Sequence, residues 1–151
     1  IALNYKNFDL TMFWQGVCDQ DVYNNQKAQT DFWSIVDAGS NKGTRLLGAW
    51  NTNNTGSTIP ALTTENTADE GRASSYYVEN GSYLKLRTLQ FGYTVPASFL
   101  SKFKMSSARI YVSGQNLLTV KSKSLTCPDP ENPNWNYPLA TSVSFGLQIG
   151  F

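Results

Sequence analysis

Among side chains that do chemistry, histidine is missing altogether from the 151 residues. Ser-His-Asp and Cys-His nucleophilic machinery and His-centred metal sites are therefore excluded. Eleven carboxylates remain, but acid–base work needs two of them facing across a polar cleft, and no pair has that placement. Asp19-Gln20-Asp21 and Asp129-Pro130-Glu131 offer the oxygen donors that Ca²⁺ takes. Set among Asn, Thr and Pro, they read first as solvated loop charge. Ser113-Gly114-Gln115 lacks the Gly-x-Ser-x-Gly frame of a nucleophile elbow. Cys18 and Cys127 fit either a disulfide or two thiols, and the count does not choose between them. Nothing here calls for an enzyme, a metal or a cofactor.

Aromatic residues carry the remaining potential. Trp33, Trp50, Trp135 and Tyr137 lie in two polar stretches, where exposed rings can stack on sugars, pack against a partner, or pin the loops to one another. Arg109, Tyr111 and Gln115 occupy one phase of an alternating run. Phe151 closes another.

The elements that position them are strands. Val143, Phe145, Leu147, Ile149 and Phe151 alternate with Ser142, Ser144, Gly146, Gln148 and Gly150, so one face is bulky and apolar and the other small and polar. A strand of about 11 residues tilted by about 40° rises roughly 28 Å, close to the apolar band of an outer-membrane barrel. The same alternation describes a strand of a soluble sandwich. Further strands are expected at about 1–5, 8–17, 83–95 and 108–118, with the last at 141–151. In the third the alternation slips near Arg87-Thr88, through a bulge or because its upper part rises clear of lipid. A short helix is expected around Gln29 to Val36, and a helical turn over Phe99, Leu100 and Phe103.

Aromatics make up 13% of the chain and charged residues 15%, with net charge +1. The composition is that of strands and loops, and it excludes an electrostatic nucleic-acid binder. No run approaches 18 apolar residues, which excludes a spanning helix but leaves barrel strands open. Connections alternate: short at Lys6-Asn7, long at about 18–80, short at 96–107, long at about 119–139. Loops this long are uncommon in a compact soluble domain and ordinary on one rim of a barrel. The barrel is preferred on that count, with a secreted or surface carbohydrate-binding or adhesion sandwich as the alternative. Opening on Ile1-Ala2-Leu3-Asn4, already strand-like, the chain reads as part of something longer.

The residues also resemble a known family. Tyr5-Lys6-Asn7-Phe8-Asp9-Leu10, Trp50, Ile59-Pro60-Ala61-Leu62, the block Tyr77 to Pro96, Arg109 to Leu117 with its Gly114-Gln115-Asn116-Leu117 end, and Phe145-Gly146-Leu147 are similar to the C-terminal region of SusC/RagA-type TonB-dependent outer-membrane transporters. The resemblance implies an all-β fold, the last antiparallel strands of a 22-stranded transmembrane barrel, with plug and N-terminal regions absent here. It implies import of glycans or oligopeptides with a SusD-like surface lipoprotein as lid and the TonB complex acting through the plug. It places the long loops and both cysteines outside the cell, where a Cys18–Cys127 disulfide is permitted, and the C-terminus in the periplasm. Arg109, Tyr111 and Gln115 then face the lumen or plug, and Phe151 becomes the aromatic that barrel-assembly machinery reads. A passive porin is a further reading, which a plug upstream of Ile1 would exclude.

Overall fold

The computed structural model describes residues 1–32, 41–63, 69, 71–134 and 137–151. They form two units: Ile1–Cys18, Ser82–Lys121 and Leu139–Phe151 make the first, Asp19–Gly81 and Ser122–Pro138 the second. Among the described residues no helix is long and apolar enough to cross a membrane.

The first unit is one antiparallel sheet of five strands: β1 (Ala2–Tyr5), β2 (Phe8–Val17), β5 (Tyr83–Thr94), β6 (Ser107–Lys121) and β7 (Ser142–Gly150), adjacent in that order. Registered partners share a face. The row Phe145–Val112–Phe91–Leu10–Leu3 crosses all five strands, and Leu147–Ile110–Tyr93–Phe8–Tyr5 runs beside it. The opposite face carries Ser144–Ser113–Gln90–Thr11 and Gly146–Tyr111–Gly92–Asp9. Phe145, Leu147 and Ile149 are 85%, 63% and 45% exposed. A sandwich would bury them under a second sheet, and among the described residues the first unit consists of this one sheet. Left in water, each such side chain forgoes about 1.5–3 kcal/mol. A contiguous apolar face of this extent marks contact with another apolar phase.

The slip in the third predicted strand is a bulge. Phe13 pairs with Thr88 and Trp14 with Leu86, so Arg87 has no opposite number on β2. Across β5, Leu86 pairs with Leu118 and Thr88 with Gln115, and Asn116 between them takes a left-handed φ of 51°. Arg87 donates to Gln15 Oε1 at 3.0 Å and to Asn116 Oδ1 at 3.4 Å. The extra residue thus keeps a guanidinium with polar groups while Leu86 and Leu84 return to the side of Trp14 and Gly16. With the bulge accommodated, β6 runs on to Lys121 instead of stopping at 118.

Both short connections lie at one end of this sheet. At Lys6-Asn7, Thr94 N–H donates to Asn7 O and Asn7 Nδ2 donates to Thr94 O, each at 2.8 Å. After Pro96 the chain makes a helical turn, α2 (Ala97–Leu100), and a 3₁₀ turn, Ser101–Phe103. Leu100 is the buried residue of that connection.

The second unit corrects the picture of two irregular loops. It pairs β3 (Asp21–Tyr23) with β4 (Val78–Asn80) and holds α1 (Asn25–Asp31); of the helix expected at 29–36, residues 33–36 lie outside the described residues. Asn24 caps the helix, its Oδ1 accepting from Lys27 N–H at 3.0 Å. Phe32 ends it by turning extended, and its ring meets Tyr76 and Tyr77 at 5.4 and 6.3 Å between centroids. Tyr77, Phe32, Leu46, Leu125 and Cys127 are buried here. Gly81 has to be glycine, since a Cβ there would lie 2.2 Å from Val22 Cγ2.

Candidate functional site

The polar face of the sheet is built around two missing side chains. Arg109 on β6 reaches across β5 to Asp9 on β2, Nε to Oδ1 at 3.0 Å and Nη2 to Oδ2 at 2.5 Å. The pair lies over Gly92, where a Cβ would come within 2.4 Å of Asp9 Oδ1 and 2.6 Å of Arg109 Nη2. Next to it the Tyr111 ring covers Gly146 on β7, where a Cβ would lie 2.1 Å from Cζ. The Arg109 guanidinium stands 5.2 Å from the Tyr111 ring centre. Glycine at these two positions lets long side chains lie flat across neighbouring strands, tying β2, β5, β6 and β7 together. Gln115 is on the same face, registered with Thr88 and Ser142. The three β6 residues singled out from sequence therefore share a face, and Arg109 is committed to Asp9. The paired acid, Asp9, lies a hundred residues from Arg109 in sequence and was missed by sequence reasoning; the signal was Gly92, its registered partner on β5.

In the second unit a buried polar network does the positioning. Glu79 on β4 accepts from Asn24 Nδ2 at 2.9 Å, Thr126 N–H at 2.8 Å and Thr126 Oγ1 at 2.9 Å. Lys27 Nζ is 3.5 Å from its Oε1 and 3.9 Å from the Tyr76 ring centre. Asp31, fully buried, accepts from Arg45 Nε at 2.9 Å and Tyr76 OH at 2.7 Å. Burial raises the Glu79 pKa, but the hydrogen bonds from Thr126 and Asn24, with the Lys27 charge, outweigh it and hold the carboxyl below its ordinary range. Burial pushes the Tyr76 phenol well above its ordinary value, and the hydrogen bond and charge of Asp31 add to the shift. A cavity of about 450 Å³ opens beside the network, lined by Lys27, Arg45, Ile59, Tyr76, Glu79 and Thr126 among others.

Of the loop aromatics, Trp50 and Tyr137 fall among the described residues. Trp50 is exposed and its backbone N–H donates to Ile59 O at 2.9 Å. Tyr137 is 98% exposed. Trp33 and Trp135 lie outside the described residues. Each cysteine is a thiol within its own unit, Cys18 exposed in the first and Cys127 buried in the second, where its Sγ donates to Asp129 O at 3.4 Å. That bond, with Asp129 Oδ1 accepting from Glu131 N–H at 3.0 Å, makes the 129–131 stretch a turn.

No family model matches the chain. TonB-dependent receptor P3 of Formosa agariphila is 34% identical over 151 residues, covering 98% of this chain and 14% of the receptor. TonB-dependent receptor P26 of the same organism is 27% identical over 173 residues, covering 99% and 16%. The solved RagAB peptide transporter superposes with TM-score 0.74 at 26% identity, over 98% of this chain and 16% of that one. The chain carries the C-terminal barrel fold of SusC/RagA-type TonB-dependent receptors. The RagAB peptide importer in its "closed-closed" state matches similarly, with TM-score 0.71 at 25% identity. The chain spans about one seventh of the length of these curated receptors. In this fold a strand sheet of one layer is complete, because the barrel closes on itself and its outer surface meets the bilayer.

Proposed function

We propose that this chain is the C-terminal part of an outer-membrane TonB-dependent transporter that imports oligopeptides or glycans together with a SusD-like lipoprotein lid. One observation carries the reading: a five-stranded sheet whose bulky face is bare while its small polar face is organised by Asp9, Arg109 and Tyr111. A bare apolar face fits lipid, and strand pairing in a closed barrel satisfies backbone groups that would otherwise cost several kcal/mol each in hydrocarbon. The polar face looks inward, with Arg109, Tyr111 and Gln115 against the plug. The long connections lie outside the cell and the short turns in the periplasm, as in barrels with long loops on one rim. The peptide transported by the solved RagAB neighbour supports oligopeptides over glycans.

Ligand is held between lid and barrel, the TonB complex draws on the plug, and ligand passes to the periplasm. Phe151 serves as the aromatic that assembly machinery reads. The test is a strain lacking the full-length gene, complemented in trans and given labelled oligopeptides or oligosaccharides. Complementation should restore energy-dependent uptake of one class and co-purify a lipoprotein. Uptake that persists after energy coupling is abolished would mark a passive pore. Deleting Phe151 from the full protein should lower its outer-membrane level, and an unchanged level refutes that role.

A further inference from the structure

Among the described residues, a left-handed backbone at a residue other than glycine occurs at Lys6, Asp19, Asp69, Lys104 and Asn116. Asp and Asn tolerate this region because their short polar side chains bond locally; lysine has no such compensation. Both lysines close the two short turns at the same end of the sheet, with φ 53° and 56°. Glycine at either place would remove the strain, so the ammonium group must earn its position.

Its surroundings are those of a membrane interface. Lys6 Nζ stands 5.4 Å from the ring centre of Tyr5, and Tyr5 belongs to the apolar row with Phe8, Tyr93, Ile110 and Leu147. The charge therefore sits at the margin of the apolar face, over an aromatic ring. In the other turn Phe99 and Phe103 are 63% and 69% exposed, and Lys102 and Lys104 flank Phe103. Neither turn contains a carboxylate. Among the described residues Lys6, Lys102 and Lys104 take part in no ion pair, and the nearby acid, Asp9, is bound to Arg109 on the other face.

We infer that these two turns form a phospholipid-headgroup site, in which Lys6, Lys102 and Lys104 bind the phosphates of anionic glycerophospholipids in the periplasmic leaflet while Phe99 and Phe103 enter its acyl boundary. The inference rests on the orientation proposed above. The occupant follows from continuity with the bilayer-facing strands and from three unneutralised cations beside exposed aromatics.

The experiment uses the full-length receptor in mild detergent, offered equal amounts of phosphatidylglycerol and phosphatidylcholine, with retained lipids counted by native mass spectrometry. Wild type should prefer phosphatidylglycerol, and Lys6→Gln/Lys102→Gln/Lys104→Gln should lose at least about fivefold of that preference. Lys42→Gln/Lys121→Gln/Lys123→Gln, of equal charge change, should keep it. Lys6→Gly/Lys104→Gly should fold at least as well as wild type, judged by gel migration of the folded form, and still retain less phosphatidylglycerol. Unchanged retention in the first variant, or equal loss in the control, overturns the site. Orientation is read separately: in a Cys18→Ser background, Lys102→Cys should add reaction with an impermeant maleimide, over the same receptor without it, only after cells are permeabilised. Labelling in intact cells overturns the orientation and the leaflet assignment, while the lipid counts still judge the phosphate contact.

Discussion

Replacing one residue on each side of β7 decides which face meets lipid. Phe145 and Ser144 are neighbours in sequence and point to opposite faces, paired with Val112 and Ser113. From Val143 to Phe151 the strand climbs roughly 21 Å for a rise of 3.4 Å per residue and a 40° tilt, placing Phe145 about 5 Å from the middle of that stretch. Phe145 is 85% exposed within the chain, so its replacement removes little protein packing and the change in medium dominates. Arginine facing lipid costs about 2–4 kcal/mol at the midplane and less towards the interfaces, so Phe145→Arg should cost about 2–3 kcal/mol. At Ser144 the same arginine enters a row of Ser113, Gln90 and Thr11, where water and polar partners hold the cost under about 1 kcal/mol. Guanidinium titration of the full-length receptor in phospholipid vesicles, followed by tryptophan fluorescence and by migration of the folded form, measures both. If Ser144→Arg costs as much as Phe145→Arg, the assignment of faces is wrong.

Three further outcomes follow from the polar groups. Gly92→Val should push Asp9 and Arg109 apart and cost about 1–2 kcal/mol; combined with Asp9→Asn/Arg109→Gln, the loss should fall well short of the sum in the same titration. Tyr76→Phe removes the hydroxyl that donates to buried Asp31 and should cost about 1–2 kcal/mol, visible as faster proteolysis within 19–81. Glu79 has a folded pKa below its ordinary 4.5, so its contribution is complete above that value and fades as pH falls through the folded pKa. Proteolysis of the second unit by an acid-active protease should therefore accelerate below about pH 4.5 in wild type, whereas Glu79→Gln should be cleaved faster at neutral pH with little further change on acidification.

Strand existence, the apolar face and a break in the alternation near Arg87 were legible in the residues themselves, because a period of two needs no knowledge of partners; that the break is a bulge came from the register. Alternation names two faces but not what covers them: sandwich and barrel share it, and the choice came from the exposure of Phe145, Leu147 and Ile149 together with likeness to solved transporters. Register across strands distant in sequence decided the rest. Gly92 and Gly146 look like weak strand residues until Arg109 and Tyr111 are laid over them. Asn24, Glu79 and Thr126 look like loop polarity until tertiary contact joins them into one network. Local pattern records which side of the backbone a residue takes; hydrogen-bond partners dozens of positions apart are set only when the chain has folded.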